Sequence, residues 1–229
     1  MSFLQQSIYF GFVLSILAYM IGVWLKKKLG WPILNPLLIA MFLVIAVLLV
    51  FKIDYETYNS SAKYISYLLT PSTVCLAIPL YKQLELLKKN LVAVAAAIAS
   101  GVAASAASIF TLCMVFGLGH EHYVTLLPKS ITTAIGMGVS EEAGGIVTIT
   151  VFCIIITGIF GNIIADLVFK VAGIREPIAQ GLALGTSAHA IGTARALELG
   201  EVEGAMSSLS IAVSGLLTVI VVPLVSGLI

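Results

Sequence analysis

Apolar residues run along this chain in blocks long enough to be measured against a bilayer, whose core takes about 20 of them per helix. That measure predicts spans near Ile8–Leu25, Pro36–Phe51, Tyr64–Tyr81, Leu91–Phe116, Ile146–Phe169, Ile178–Leu197 and Met206–Ile229. An eighth apolar block, Tyr123–Val139, is interrupted by Pro128 and Lys129. The polar stretches between blocks are too short for a separate soluble domain. The expectation is an all-α polytopic membrane protein of seven or eight segments in one integral domain. Its parts are an N-terminal span (1–30), a first repeat (34–116), a re-entrant or broken segment (117–144) and a second repeat (145–229).

Three blocks are not ordinary membrane helices. Tyr64–Tyr81 carries Pro71 and Pro79, with Thr70, Ser72 and Thr73 around the first proline. Because proline lacks a backbone donor and clashes with the preceding turn, a break or kink is expected there. In Tyr123–Val139 the run Pro128-Lys129-Ser130 leads into Thr132 and Thr133, and Ile178–Leu197 contains Gly185-Thr186-Ser187, His189, Gly192-Thr193 and then Arg195. Irregular backbone at membrane depth is tolerated where it is buried in protein or lines a water-filled cavity. The spans Tyr64–Tyr81 and Ile178–Leu197 are each followed by a ridge of small residues: Ala93, Ala97, Gly101 and Ser105 in one half, Gly204, Ser208 and Ala212 in the other. Interrupted helices in matching positions of inverted halves are the sequence pointer to a secondary transporter's binding site.

Cationic flanks set the expected topology. Lys26-Lys27-Lys28 after the first span predicts an outer N-terminus and a cytoplasmic lysine cluster, with Lys82, Lys88 and Lys89 also inside. Lys170 and Arg175 join them only if Tyr123–Val139 enters and returns to the outer face. If it crosses, they fall outside, and both arrangements stay open on the sequence.

Composition agrees with lipid as solvent: 60% of the 229 residues are hydrophobic and 10% charged, against about 25% charged in soluble domains. The net charge of +1 argues against a nucleic-acid partner, which would need a clustered basic surface. Cys75, Cys113 and Cys153 stand alone in apolar runs, without disulfide or metal spacing, and no metal or cofactor is expected. The neutral N-terminus and the lysines behind the first block speak against a cleaved signal peptide.

The chemistry that remains is anion binding. Lys129 precedes a run able to form a half-helix, whose N-terminal amides and dipole favour a carboxylate or phosphate. The alternative for Lys129 is snorkelling to the headgroups. The site expected for a small carboxylate comprises Thr70, Ser72 and Thr73 on one side, Thr186, Ser187, His189, Thr193 and Arg195 on the other, and Lys129, Ser130, Thr132 and Thr133 between. Asp166 has a possible helix-surface partner in Lys170. Gly185-Thr186-Ser187 with a histidine two residues on does not make a nucleophile–base pair, and no hydrolase, P-loop or dinucleotide fingerprint occurs. An enzyme is therefore not expected.

The stretches Leu34-NPLLIAM, Leu69-TPSTVCLAIPLYKQ, Leu127-PKSITTAIGM, Gly185-TSAHAIGTARALE and Glu203-GAMSSL together resemble the LrgB/CidB family over essentially the whole chain. Ala134 departs from the second proline that the family more often has there. The resemblance implies a bacterial inner-membrane protein with discontinuous crossed helices, similar to cation/proton antiporters and bile-acid transporters. It implies two functions: an antiholin-like control of murein hydrolases and lysis beside an LrgA/CidA-like membrane partner, and carriage of pyruvate- or glycolate-like acids. The leading expectation is transport of a small monocarboxylate or hydroxy acid. The alternative is the antiholin-like regulator. Small-residue faces are compatible with a homo-oligomer.

Overall fold

The computed structural model describes residues 9–30 and 34–229, with the side chains of Leu69, Thr70, Thr73 and Leu80 outside the described residues, as is Ile8. Every regular element among them is helical. Four helices are long and apolar enough to cross a membrane: Phe10–Leu29, Leu91–Phe116, Val147–Ala172 and Glu201–Leu228. The chain divides into two compact units, Met1–Cys75 and Leu76–Ile229, a boundary that falls inside the expected first repeat.

In the first unit, α1 (Phe10–Leu29) carries Lys26, Lys27 and Lys28 in its last turn, where the helix dipole favours cations, and ends on Gly30 in the left-handed conformation. Helix α2 (Pro36–Val50) starts with proline at its first position, and the Asn35 side chain accepts from the Leu37 and Leu38 amides. Gly22 lets α1 meet the Pro36 backbone: a Cβ there would lie 2.9 Å from Pro36 Cα. Helix α3 (Tyr55–Ser66) is capped by Asp54, and its Ser61 hydroxyl accepts from the Gly11 amide at 2.7 Å.

The expected span Tyr64–Tyr81 is not one helix. The chain turns at Tyr67–Leu68, forms α4 (Leu69–Cys75), and starts again as α5 (Ala77–Lys82) and α6 (Leu84–Lys89). Pro71 and Pro79 each sit in the first turn of a new short helix, where a missing amide costs nothing. The prolines begin helices here; they do not kink one.

The second unit is built on three long helices, α7 (Leu91–Phe116), α10 (Val147–Ala172) and α12 (Glu201–Val225). Between α7 and α10 lie α8 (His120–Leu126) and α9 (Thr133–Glu142). At about 1.5 Å per residue, neither reaches across a core of about 30 Å. They fold back on each other. The Thr125 hydroxyl accepts from the Ile146 amide at 2.8 Å, and the Thr150 hydroxyl lies 2.9 Å from the Thr125 carbonyl and 2.7 Å from Ser140 Oγ. Gly136 meets the Pro128 carbonyl deeper in. At the end where α7 finishes, Tyr123 donates to the Val225 carbonyl and His120 approaches the Ile229 carbonyl. The segment therefore leaves the end of α7, turns at Leu127–Thr132 and returns to start α10 at the same end. The alternative of a full crossing by Tyr123–Val139 is not what this packing forms.

A second hairpin enters from the opposite end. Helix α11 (Pro177–Leu199) is interrupted at His189, with φ 42° and ψ −137°. A Cβ on Gly192 would collide with the Leu184 carbonyl, eight residues back, and lie 2.7 Å from Ala188 Cβ, which no straight helix permits. The first arm descends past α12 (Gly181 on Glu203, Gly185 on Ser207). The second returns: Thr193 bonds Ser207 at 2.7 Å and Gly204 packs on Leu197. The two tips meet at the level of Ile154, whose carbonyl accepts from His189 Nε2 at 2.8 Å and whose side chain packs against Gly136.

Candidate functional site

Where the tips meet, the second unit contains a cleft of about 990 Å³ between α7 and the first arm of α11. Asn90 and Glu176, which precede those two helices, stand at its mouth, at the end of the unit where α7 begins. Its walls are Ala93, Ala97, Ala104, Ala179, Leu182 and Ala183; deeper lie Ser105, Lys129, Ser130 and Thr186. A mostly apolar concavity with a few convergent polar groups is the usual form of a small-molecule site.

Lys129 owes its place to the turn of the first hairpin. Buried Pro128 ends one arm, and the Lys129 amide bonds the Leu126 carbonyl at 3.1 Å. The half-buried ammonium donates to Ser130 Oγ at 2.8 Å and reaches Ser105 Oγ at 3.5 Å, and the two serine hydroxyls are 3.3 Å apart. Ser105 lies midway along α7, so the ammonium sits near the centre of the unit and not at an end. Thr132 precedes the first helical residue of α9, Thr133, and makes no side-chain cap. Both are half-buried.

The residues of the second hairpin part company. Thr186 is 8% exposed and lines the cleft. Its Oγ1 has no hydrogen-bond partner, alone among the buried side-chain polar atoms of the described residues. Its methyl group faces Gly101, where a Cβ would lie 2.5 Å away. Ser187 also lines the cleft and donates to the Ala183 carbonyl at 2.6 Å. His189 is buried at the tip, and its bond to the Ile154 carbonyl places the proton on Nε2. Thr193 is paired to the His189 carbonyl within the hairpin and to Ser207 on α12. Arg195 bonds Glu198 at 2.8 Å and Asp166 at 2.6 Å, tying the returning arm to α10. Asp166 thus pairs with Arg195, and not with Lys170 as its spacing suggested.

The structure brings Lys129, Ser130, Thr186 and Ser187 to one cleft. Thr70, Ser72 and Thr73 belong to α4 of the first unit; Ser72 is exposed, and the side chains of Thr70 and Thr73 lie outside the described residues. Ser105 was missed as a site residue because, in a stripe of alanines, it reads as packing. Only its four-residue spacing from Gly101 marked that face.

Comparison with known proteins agrees with the sequence resemblance. The chain is 42% identical over 217 residues to proteins named antiholin-like protein LrgB from Bacillus cereus (strain B4264) and Bacillus anthracis (strain CDC 684 / NRRL 3495), covering 94% of each chain. No solved structure matches. The LrgB-like family matches residues 15–228, and with that match across nearly its whole length the chain belongs to the LrgB-like family.

Proposed function

We propose that this chain is an antiholin-like membrane protein whose molecular activity is the movement of a small monocarboxylate or hydroxy acid across a bacterial inner membrane. The two halves of the proposal have separate supports. The names of the relatives speak for the antiholin-like role and not for transport; an LrgA/CidA-like membrane partner is part of the role proposed here. The observation that carries transport is the pair of hairpins entering from opposite ends with Lys129 at a tip. A regulator needs assembly faces, but has no need of broken helices converging on a central cation.

In this reading α7 with the first hairpin and α10 with the second form an inverted pair, the arrangement in which transporters place a midplane site. Of the second unit's lysines and arginines, Lys82, Lys88, Lys89, Lys170, Arg175 and Arg195 lie toward the end where α7 begins, and only Lys129 lies at the centre. By the positive-inside rule that end is cytoplasmic, and the cleft opens to the cytoplasm. Flux of an organic acid through this route would alter the conditions for lysis and so join the two roles.

Proteoliposomes holding the purified chain, with and without an LrgA-like partner, should take up radiolabelled pyruvate, glycolate or lactate above protein-free vesicles. Absence of uptake under both conditions, together with altered murein hydrolase activity in cells lacking the chain, would leave the antiholin-like role and remove transport.

A further inference from the structure

We infer that Thr186 is the specificity-determining residue of the cleft, reading an oxygen on the carbon next to the substrate's carboxylate. The inference rests on the proposed carboxylate site and adds to it a residue role. Its ground is the unpartnered, buried Oγ1 of Thr186, a residue that lines the cleft. A buried hydroxyl without a partner loses more than a satisfied one gains, so the position calls for a ligand oxygen.

The neighbouring groups define what that ligand is. Among the described residues Lys129 is the only cation lining the cleft, and it lies with Ser105 and Ser130. Thr186 packs on Gly101, one turn before Ser105 on α7, so the Thr186 and Lys129 positions are offset along that helix by about 6 Å. Two donors so spaced are bridged by a carboxylate on the lysine and an adjacent keto or hydroxyl oxygen on the threonine. The alanine walls offer a second carboxylate no cation. The arrangement therefore selects a monoanion with a 2-oxygen over both its deoxy analogue and a dicarboxylate.

Binding of radiolabelled pyruvate to the purified protein, competed by lactate, propionate and succinate, tests this directly. The parent protein should favour pyruvate and lactate over propionate by roughly fivefold to tenfold, the worth of one hydrogen bond, and should reject succinate. Thr186→Val should erase the pyruvate–propionate difference, and Thr186→Ser should restore it. Equal discrimination in the parent and Thr186→Val would overturn the inference; the hydroxyl would then serve packing or a buried water. Uptake that ignores the 2-oxygen would sink the inference and keep transport. Selective binding without uptake would keep the inference and sink transport.

Discussion

A lysine at membrane depth either reaches an aqueous surface along its own stem or finds acceptors where it is. Lys129 does the second, bonding Ser130 and reaching Ser105 from the tip of a hairpin midway along α7. These are neutral acceptors, so the ammonium keeps its charge for an anion. Removing it should weaken carboxylate binding by about 1–3 kcal/mol, the range of charge-assisted hydrogen bonds. Lys129→Gln should therefore reduce pyruvate affinity about tenfold to a hundredfold. Lys129→Arg keeps the charge but brings a wider planar group that fits a compact site poorly, and its loss should be smaller. Parent-like binding in both variants would make Lys129 a structural donor to the serines. The lysine was legible in the sequence because proline, lysine and serine stand together in an apolar block. Ser105 was not, since nothing local separates a serine that faces a cation from one that only spares room. Ser187 shows the opposite case: its place in Gly185-Thr186-Ser187 marked it, yet its hydroxyl is satisfied by its own helix at Ala183.

At the scale of elements, the interruptions were legible and their geometry was not. Pro71 and Pro79 suggested a break or kink, and the chain breaks there, using them to open short helices. The sharpest reversal, at His189, has neither proline nor glycine at its apex. A non-glycine residue at positive φ costs on the order of 1–3 kcal/mol, and the bond to the Ile154 carbonyl helps hold it. What makes the reversal possible lies on the arms. Gly192 lets the second arm touch Leu184, while Gly181 and Gly185 let the first arm touch the backbone of α12. Such contacts join residues distant in sequence, so periodicity along the chain could show only that small residues recur. Gly185→Ala would set a Cβ onto the Ser207 carbonyl and 2.7 Å from Ser210 Cβ. Overpacking of this kind costs about 1–3 kcal/mol, which should appear as a lowered unfolding temperature in detergent. Gly138→Ala, where a Cβ meets nothing within 4 Å, is the control and should leave that temperature unchanged. Equal effects of the two would mean that the first arm does not pack on α12 as described.

Across the second unit, charge and topology point the same way. The acidic Glu121, Glu141 and Glu142 lie at the end where α7 finishes, and the cationic side chains other than Lys129 lie toward the end where it begins. Sequence alone left two topologies because the sidedness of Lys170 and Arg175 depends on whether one broken segment returns. Contacts of Thr125 with Ile146 and Thr150 fold the segment back, and the proposed central site reached by opposed hairpins rests on this. The direct test is sidedness labelling of single cysteines, in a background with Cys75, Cys113 and Cys153 replaced, using a membrane-impermeant maleimide on oriented vesicles. Glu121→Cys and Glu142→Cys should label from one side of the membrane, and Arg175→Cys and Glu201→Cys from the other. Labelling of Glu121→Cys and Glu142→Cys from opposite sides would mean that the segment crosses, and would contradict the opposed-hairpin architecture.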